Sequence, residues 1–369
     1  MESDSKYWSE MYISDGSNKL NKNLSNFIIS KKLPSKYDDK KKIILSYHIK
    51  ESEYEEISEF YRKYNKMATG NITLLPVSEL KRYLSFDNTC VVMRSENNKL
   101  MGVIISLEFP IKNSENDHSE IIKHGCTTFM NIHPAVRGHG MCMGLIRGLI
   151  AKGFENKIYC DYHTVHFKIG DNSISLNCYY RPLNLQRSVE LGFLFPDCYN
   201  SNTKKRTRLR YRTKLPINHT YIKVTSDNID SSLEYYLLSI EGKKLSFYPD
   251  KKLWEKWVEG FPTYLIYKNE IIVGIASINT IFCVITYTGM EGRIVTPVIC
   301  NGDMKSVLPV LIHITDSLKY DVLYFNEYGD VTTKSLESIN CVKNTHNMWF
   351  SLYNNQIKFD ISHLSVPLL

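Results

Sequence analysis

The chain of 369 residues is 43% hydrophobic and 23% charged, the balance of an ordinary globular protein with room for two domains or one large one. Its 46 Lys and Arg against 39 Asp and Glu leave a net charge of +7. That mild surplus favours anionic partners, such as a phosphate group or a membrane surface, and does not demand nucleic acid. No run of 18 apolar residues could span a bilayer, and the start, Met1 to Lys6, lacks the pattern of a secretory signal. Nine cysteines without C-x-x-C spacing predict reduced thiols in a cytoplasmic setting, with no zinc site and no disulfide framework.

Residues 1–45 read as an arm whose first apolar cluster is Tyr7-Trp8, preceded by Lys6. Lys40, Lys41 and Lys42 read as a solvated charge run. The pattern then becomes α/β. A short strand is predicted at 46–48 and helices at 53–64 and 77–84, with strands at 90–93 and 100–109 paired across Glu96-Asn97-Asn98.

Residues 127–150 are the centre of the chain. Thr127 to Ile132 has the β-branched and aromatic character of a strand, and Pro134, Arg137 and Gly138 mark a turn. From Gly140 the period changes: Met141, Leu145 and Leu149 recur at helical spacing. A glycine-bearing turn between strand and helix aims free backbone N–H groups at one spot, where the helix dipole adds positive potential. A diphosphate suits that spot. An ordinary strand-to-helix connection has the same pattern, and this stretch alone does not separate the two.

Strands at 158–163 and 167–169 and a helix at 184–191 follow. Residues 205–214 alternate, with Arg206, Arg208, Arg210 and Arg212 on one side, which predicts a half-exposed strand. Such a stripe fits a solvated sheet face better than a nucleic-acid contact.

The second half repeats the first. Lys99 to Ser106 matches Glu270 to Ser277, each preceded by a strand (90–93; 263–267) and an amphipathic helix (77–84; 251–258), and each followed by a further helix, the second at 305–318. The halves differ at the turn. Where the first has Arg137, Gly138 and Gly140, the second has Asn301-Gly302-Asp303, and Asp303 would repel a phosphate. One half is therefore expected to bind a nucleotide-like ligand, and the other to shape a second substrate's groove.

Arg137-Gly138-His139-Gly140-Met141-Cys142 resembles the pyrophosphate-binding Q/R-x-x-G-x-G/A motif of the GNAT acetyltransferase superfamily. Two such units with one coenzyme A site resemble glycylpeptide N-tetradecanoyltransferase, the N-myristoyltransferase family. The ordered motifs are Lys6-Tyr7-Trp8, Phe129-Met130-Asn131-Ile132-His133 (family F-L-C-V-H), Tyr179-Tyr180-Arg181-Pro182-Leu183-Asn184 (W-H-R-S-L-N) and Asn347-Met348-Trp349-Phe350-Ser351-Leu352-Tyr353-Asn354 (N-L-Q-Y-Y-L-Y-N), then Val366-Pro367-Leu368-Leu369. They run along nearly the whole chain. The family's acidic loop has no counterpart at 64–70, where Lys66 stands, and its Y-T-A-G is reduced to Tyr162-His163-Thr164-Val165.

The resemblance implies an α/β (α+β) fold of two tandem GNAT-like units, at 46–215 and 216–369, in one saddle-like mixed sheet with flanking helices. It implies an acyltransferase that moves a myristoyl group from myristoyl-CoA, a co-substrate and not a resident cofactor, to the N-terminal glycine of proteins. The C-terminal carboxylate of Leu369 would be the base, and backbone N–H groups of Phe129 and Met130 the oxyanion hole. Acyl-CoA would be held by Lys6, Tyr7, Trp8, Met130, Asn131, Ile132, Arg137, Gly138, His139, Gly140, Met141 and Cys142. Tyr162, Thr164, Tyr180, Asn279 and Thr280 fall near the family's peptide-groove positions, with core packing an equal alternative for each. No metal, nucleic acid or Ser-His-Asp set is implied, and His133, His139, Cys126 and Cys142 read as structural or turn residues. A cytoplasmic monomer is expected, compatible with transient membrane association. Glu2 occupies the position where the myristoylation motif needs glycine, so the chain is not itself a substrate by that motif. A GNAT-type acetyltransferase and a non-catalytic acyl-CoA-binding protein are the alternatives; the mass added to a Gly-starting peptide separates tetradecanoyl from acetyl transfer, and acyl-CoA binding without turnover marks the non-catalytic protein.

Overall fold

Period-two stretches become strands and 3.6-period stretches become helices over most of the chain. The structure, a computed structural model, describes residues 43–65, 72–115, 118–137, 141–165, 168, 173–195, 204–285, 289–353 and 360–369. Lys6, Tyr7 and Trp8, the turn residues Gly138, His139 and Gly140, Lys66, and the strand expected at 167–169 (apart from Lys168) lie outside the described residues.

The first half runs β1 (Ile43–Ser46), α1 (Tyr54–Tyr64), β2 (Ile72–Leu74), α2 (Val77–Ser85), β3 (Asn88–Ser95), β4 (Leu100–Glu115), β5 (His118–Ile132), α3 (Met141–Glu155), β6 (Cys160–Val165), β7 (Ser173–Leu176), β8 (Cys178–Pro182), α4 (Leu185–Glu190) and α5 (Lys204–Arg210). The second runs β9 (His219–Lys223), α6 (Ile229–Ser239), β10 (Leu245–Phe247), α7 (Lys251–Gly260), β11 (Thr263–Lys268), β12 (Ile271–Val284), β13 (Glu291–Gly302), α8 (Met304–Ser317), β14 (Val322–Asn326), α9 (Thr333–Ser338), β15 (Val342–Lys343), β16 (Met348–Tyr353) and β17 (Leu364–Ser365).

Two sequence expectations shift. The first strand starts at Ile43, upstream of the predicted 46–48. The strand predicted at 205–214 is instead the helix α5, followed by coil. Alternation of Arg with Thr, Leu and Tyr fits either period. Lys and Arg are good helix formers, and Thr207 and Tyr211, four residues apart, make the inward line of a helix.

The duplication is plain in the pairing. β3, β4 and β5 form an antiparallel meander, and α3 leads to β6, parallel to β5. β11, β12 and β13 do the same, and α8 leads to β14, parallel to β13. Bulges recur at twin places: between Ile105 and Ser106 on β4 and between Ser277 and Ile278 on β12. The repeat register moves by one residue from the sequence match, because Gly102 opposes Ile132 and Gly274 opposes Gly302. The reason is steric. A Cβ on Gly102 would lie 2.9 Å from Leu145 Cδ1 of α3, and one on Gly274 would lie 2.0 Å from Val307 Cγ2 of α8. Each crossing helix rests on a glycine of its central strand.

The α/β class with two tandem units stands, but hydrogen bonding divides the expected saddle-like sheet into two. One has nine strands, with β1-β3-β4-β5-β6-β16-β7 in order and β10 and β17 alongside; the other has eight, β15-β8-β14-β13-β12-β11-β9 with β2 beside β12. The units exchange strands symmetrically. β10 pairs with β4 as β2 pairs with β12, and β16 pairs with β6 as β8 pairs with β14. Each exchange covers an edge that would otherwise present unpaired backbone groups. Between the sheets lies an aromatic core in which Trp257 packs on Phe261 (4.3 Å between ring centroids), Phe247 (5.0 Å) and Phe109 (5.8 Å).

Candidate active site

The bulge in β5 organises the site. Ile105 opposes Phe129 and Ser106 opposes Thr127, so Thr128 is the extra residue and the ladder is interrupted beside Phe129. The Phe129 ring sits edge-on to Tyr83 of α2 (4.7 Å) and Tyr61 of α1 (6.0 Å). Tyr61 is buried, and its hydroxyl has no hydrogen-bond partner among the described residues. Burial pushes the Tyr83 phenol up to about 12, and its hydroxyl donates to Asn279 Oδ1 at 2.9 Å. Arg82 Nη2 donates to the same oxygen at 2.7 Å, pairs with Glu79, and places its guanidinium over Tyr83 (4.6 Å) and Phe261 (4.7 Å). Burial raises the Glu79 carboxyl, with Arg82 pulling the other way.

Beyond the bulge, side chains alternate. Met130 is 42% exposed, and Cys142 Sγ lies 3.6 Å from its sulfur. Burial pushes the Cys142 thiol up to about 11. Asn131 and Ile132 are buried: Asn131 Nδ2 donates to Phe60 O at 3.4 Å, its Oδ1 accepts from the Ile132 N–H at 2.9 Å, and Ile132 packs under α3 with Met141 and Leu145. Only the backbone of these two is available to a ligand. Arg137 donates from Nε to Ile132 O (3.1 Å) and from Nη2 to Tyr64 O (2.8 Å), tying the turn to the C-terminus of α1. His133 accepts from the Ala135 N–H at 3.1 Å, the turn role expected of it. The strand β5 ends at Ile132 and α3 begins at Met141.

The tail comes to the same strand. β17 runs parallel to β10, and Ser365 Oγ accepts from Asn301 Nδ2 at 3.1 Å. Leu364, Val366 and Leu368 are buried, and Leu369 packs on the same core cluster as Phe129. Cys126 Sγ donates to Pro367 O at 3.8 Å. Burial pushes that thiol up to about 12, with the Leu369 backbone N–H and the Tyr162 hydroxyl among its contacts. Leu369 therefore rests against β5 just before the bulge.

The expected peptide residues divide. Tyr162 is fully buried, facing Cys126, with Thr164 two residues on along the same face of β6. Asn279 points toward Arg82 and Tyr83, on the face of the second sheet that also carries Ile281 and Tyr180, the latter ring-packed on Phe193 at 5.3 Å. Thr280 parts from Asn279. Alternation along β12 turns it to the opposite face, where it hydrogen-bonds Tyr320 at 2.8 Å, away from Asn279.

Sequence reasoning missed two polar clusters. Glu79 and Arg82 were visible only as an i, i+3 charge pair on an amphipathic helix. Asp161, whose Oδ2 accepts from Ser106 (2.9 Å) and Thr127 (2.8 Å) and whose Oδ1 is 3.4 Å from His163 Nδ1, is assembled from three strands. It lies over Gly125, on the side of β5 away from Cys126. Among the described residues, no group of three His, Cys, Asp or Glu could hold a metal ion.

The twin position in the second half is already filled. Asp303 caps α8, accepting from the Lys305 N–H (3.2 Å) and Ser306 Oγ (2.8 Å), and the Gly302 N–H donates to Asp330 at 3.1 Å. Two carboxylates occupy what an anion would need.

No protein-family model matches the sequence, and no curated protein matches it. Solved structures do. The chain is similar to Saccharomyces cerevisiae N-myristoyltransferase with bound myristoyl-CoA, with a TM-score of 0.74 at 13% identity, over 92% of this chain and 93% of that one. A structure of the yeast enzyme with myristoyl-CoA and inhibitors gives 0.76 at 13% identity, over 94% and 89%. A GCN5-related glucosamine N-acetyltransferase region of a fungal multi-domain GH3 β-N-acetylglucosaminidase gives 0.50 at 8% identity, over 84% of this chain and 38% of that one. The chain has the fold of the yeast enzyme.

Proposed function

We propose, with that shared fold as premise, that the protein transfers a tetradecanoyl group from its CoA thioester to the amine of an N-terminal glycine. A free α-amine has a pKa of about 7.7 to 8.0 and is largely protonated near neutrality, so a base must free its lone pair. The Leu369 carboxylate takes that proton. The amine attacks the thioester carbonyl, and the oxyanion formed is held by the backbone N–H groups of Phe129 and Met130 beside the bulge. One such donor contributes about 3 kcal/mol to a barrier of this kind. Collapse breaks the C–S bond and expels the CoA thiolate, which takes the second proton of the attacking nitrogen, and the Leu369 carboxyl gives the first proton to solvent. No side-chain nucleophile is needed, and the Cys126 and Cys142 thiols, pushed up to about 12 and about 11, are poorly suited to be one.

Lys6, Tyr7 and Trp8 cover the nucleotide end of acyl-CoA. The turn from Arg137 through Gly138, His139 and Gly140 to Cys142 cradles the pyrophosphate with backbone N–H groups, Met141 anchoring the helix that follows. Thr164 and Tyr180 border the peptide, with the buried Tyr162 and Asn279 behind them. The protein acts as a cytoplasmic monomer.

The observation that carries this reading is the buried tail, which brings Leu369 against β5 next to the bulge at Phe129. The test is mass spectrometry of Gly-starting and Ala-starting peptides after incubation with protein and either myristoyl-CoA or acetyl-CoA. Tetradecanoyl addition to the Gly peptide alone is expected. Acetyl addition, or acyl-CoA binding with no product, would overturn the assignment.

A further inference from the structure

Residues 204–214 hold seven Lys and Arg and no Asp or Glu, equal to the chain's whole surplus of +7. The other residues sum to zero net charge, so this segment is a strong local concentration of positive potential. The structure turns its first seven residues into the helix α5. Tyr211, just after it, is buried, with the Arg181 guanidinium 4.8 Å from its ring. Thr207, one turn earlier, is half-buried on the same side. Arg206, Arg208 and Arg210 are exposed, and Leu209 is 62% exposed. At about 100° per residue, Leu209 stands opposite the line through Thr207 and Tyr211, with arginines on both sides. Among the described residues, no carboxylate pairs with Arg206, Arg208, Arg212 or Lys214.

We propose that α5 and the strand of coil after it dock the protein on an anionic bilayer surface. An apolar crest between unpaired arginines suits the boundary between headgroups and acyl chains: Leu209 enters it while the guanidinium groups meet phosphates. Nucleic acid fits less well. Binding to single strands relies on aromatic rings on which bases stack, and the segment's one ring, Tyr211, is buried under Arg181. The docking is independent of the acyl-transfer reading. Where both hold, the product, whose single myristoyl chain gives only marginal membrane affinity, is released at the surface it partitions into.

Flotation of the purified full chain, without acyl-CoA, with vesicles of phosphatidylcholine alone or mixed with phosphatidylserine tests this. The protein should float only with the mixed vesicles and should release as salt rises. Each charge near an anionic surface is worth about a fivefold change in partition, so R206E/R208E should lose more than about a hundredfold. R206K/R208K should keep binding, Leu209→Ala should weaken it severalfold, and thermal melts of all three should match wild type. Flotation with phosphatidylcholine alone, flotation unchanged in R206E/R208E, or binding to duplex RNA in place of vesicles would each overturn the proposal.

Discussion

Removing Leu369 alone tests the proposed base with little disturbance to the fold. The new carboxylate would sit on Leu368, one residue back, a displacement of up to about 3.5 Å along an extended chain. Leu364, Val366 and Leu368 would stay buried, and Ser365 would keep its bond from Asn301. Leu369 is itself half-buried, so its loss should lower stability by about 1 kcal/mol. A general base contributes about 10²- to 10⁴-fold when in place, and a misplacement of this size removes most of that. The shortened chain should therefore bind myristoyl-CoA as before, by calorimetry, while single-turnover transfer to a Gly peptide falls by at least about a hundredfold. Transfer at the parent rate, with the melting temperature little changed, would show that the Leu369 carboxylate is not the base. Parallel loss of binding and folding would show instead that the tail is only a structural plug.

Gly274→Ala should destabilise the protein by about 1 to 3 kcal/mol in denaturant titrations, because its Cβ would fall 2.0 Å from Val307. Gly102→Ala should cost less, since the 2.9 Å neighbour is the end of the Leu145 side chain. Asn279→Leu leaves the buried Tyr83 hydroxyl and an Arg82 donor without their shared acceptor, a loss of about 1 to 3 kcal/mol in the same titration. Burial holds the His124 imidazole below its ordinary value, and its Nε2 has no partner among the described residues. The unfolded chain therefore takes up a proton before the folded one. Stability from this group is complete above about 6.5 and is lost as pH falls from there toward the folded value. His124→Leu should flatten the stability curve in that window; an unchanged slope would mean that His124 charges without penalty in the native state.

Where the sequence carried long, clean patterns, the fold could be read from it. The strands β3, β4, β11 and β12, the end of β5 and the crossing helices α3 and α8 each span enough residues to show their period, whereas β13 and the start of β5 were not read from it. The exchanged strands did not. β2, β10 and β17 are three, three and two residues long, too short for any period, and the long strands that β2 and β10 extend lie in the other half. The site divides the same way. The strand that carries the bulge and the apolar tail are each contiguous stretches, and the structure brings them together. Arg82 with Asn279, and Asp161 with Ser106 and Thr127, are pairings across distant strands and helices that only folding creates. Asn279 and Thr280 show how neighbours in a strand go to opposite faces, which a sequence alone does not assign. In 205–214 a charge alternation imitated a strand because lysine and arginine constrain neither period.

The strand exchange also sets a timetable for synthesis. β6 leaves the ribosome at residue 165, but its neighbour β16 does not begin until Met348. At about 5 to 20 residues per second, that edge waits roughly 10 to 40 s. β4 likewise waits for β10, which begins at Leu245. The nascent first half is thus a sheet with bare flanks, adhesive toward any passing strand, and its maturation is post-translational by construction. Messages truncated before the codon for Met348 would yield aggregates or chaperone clients rather than a working half-protein.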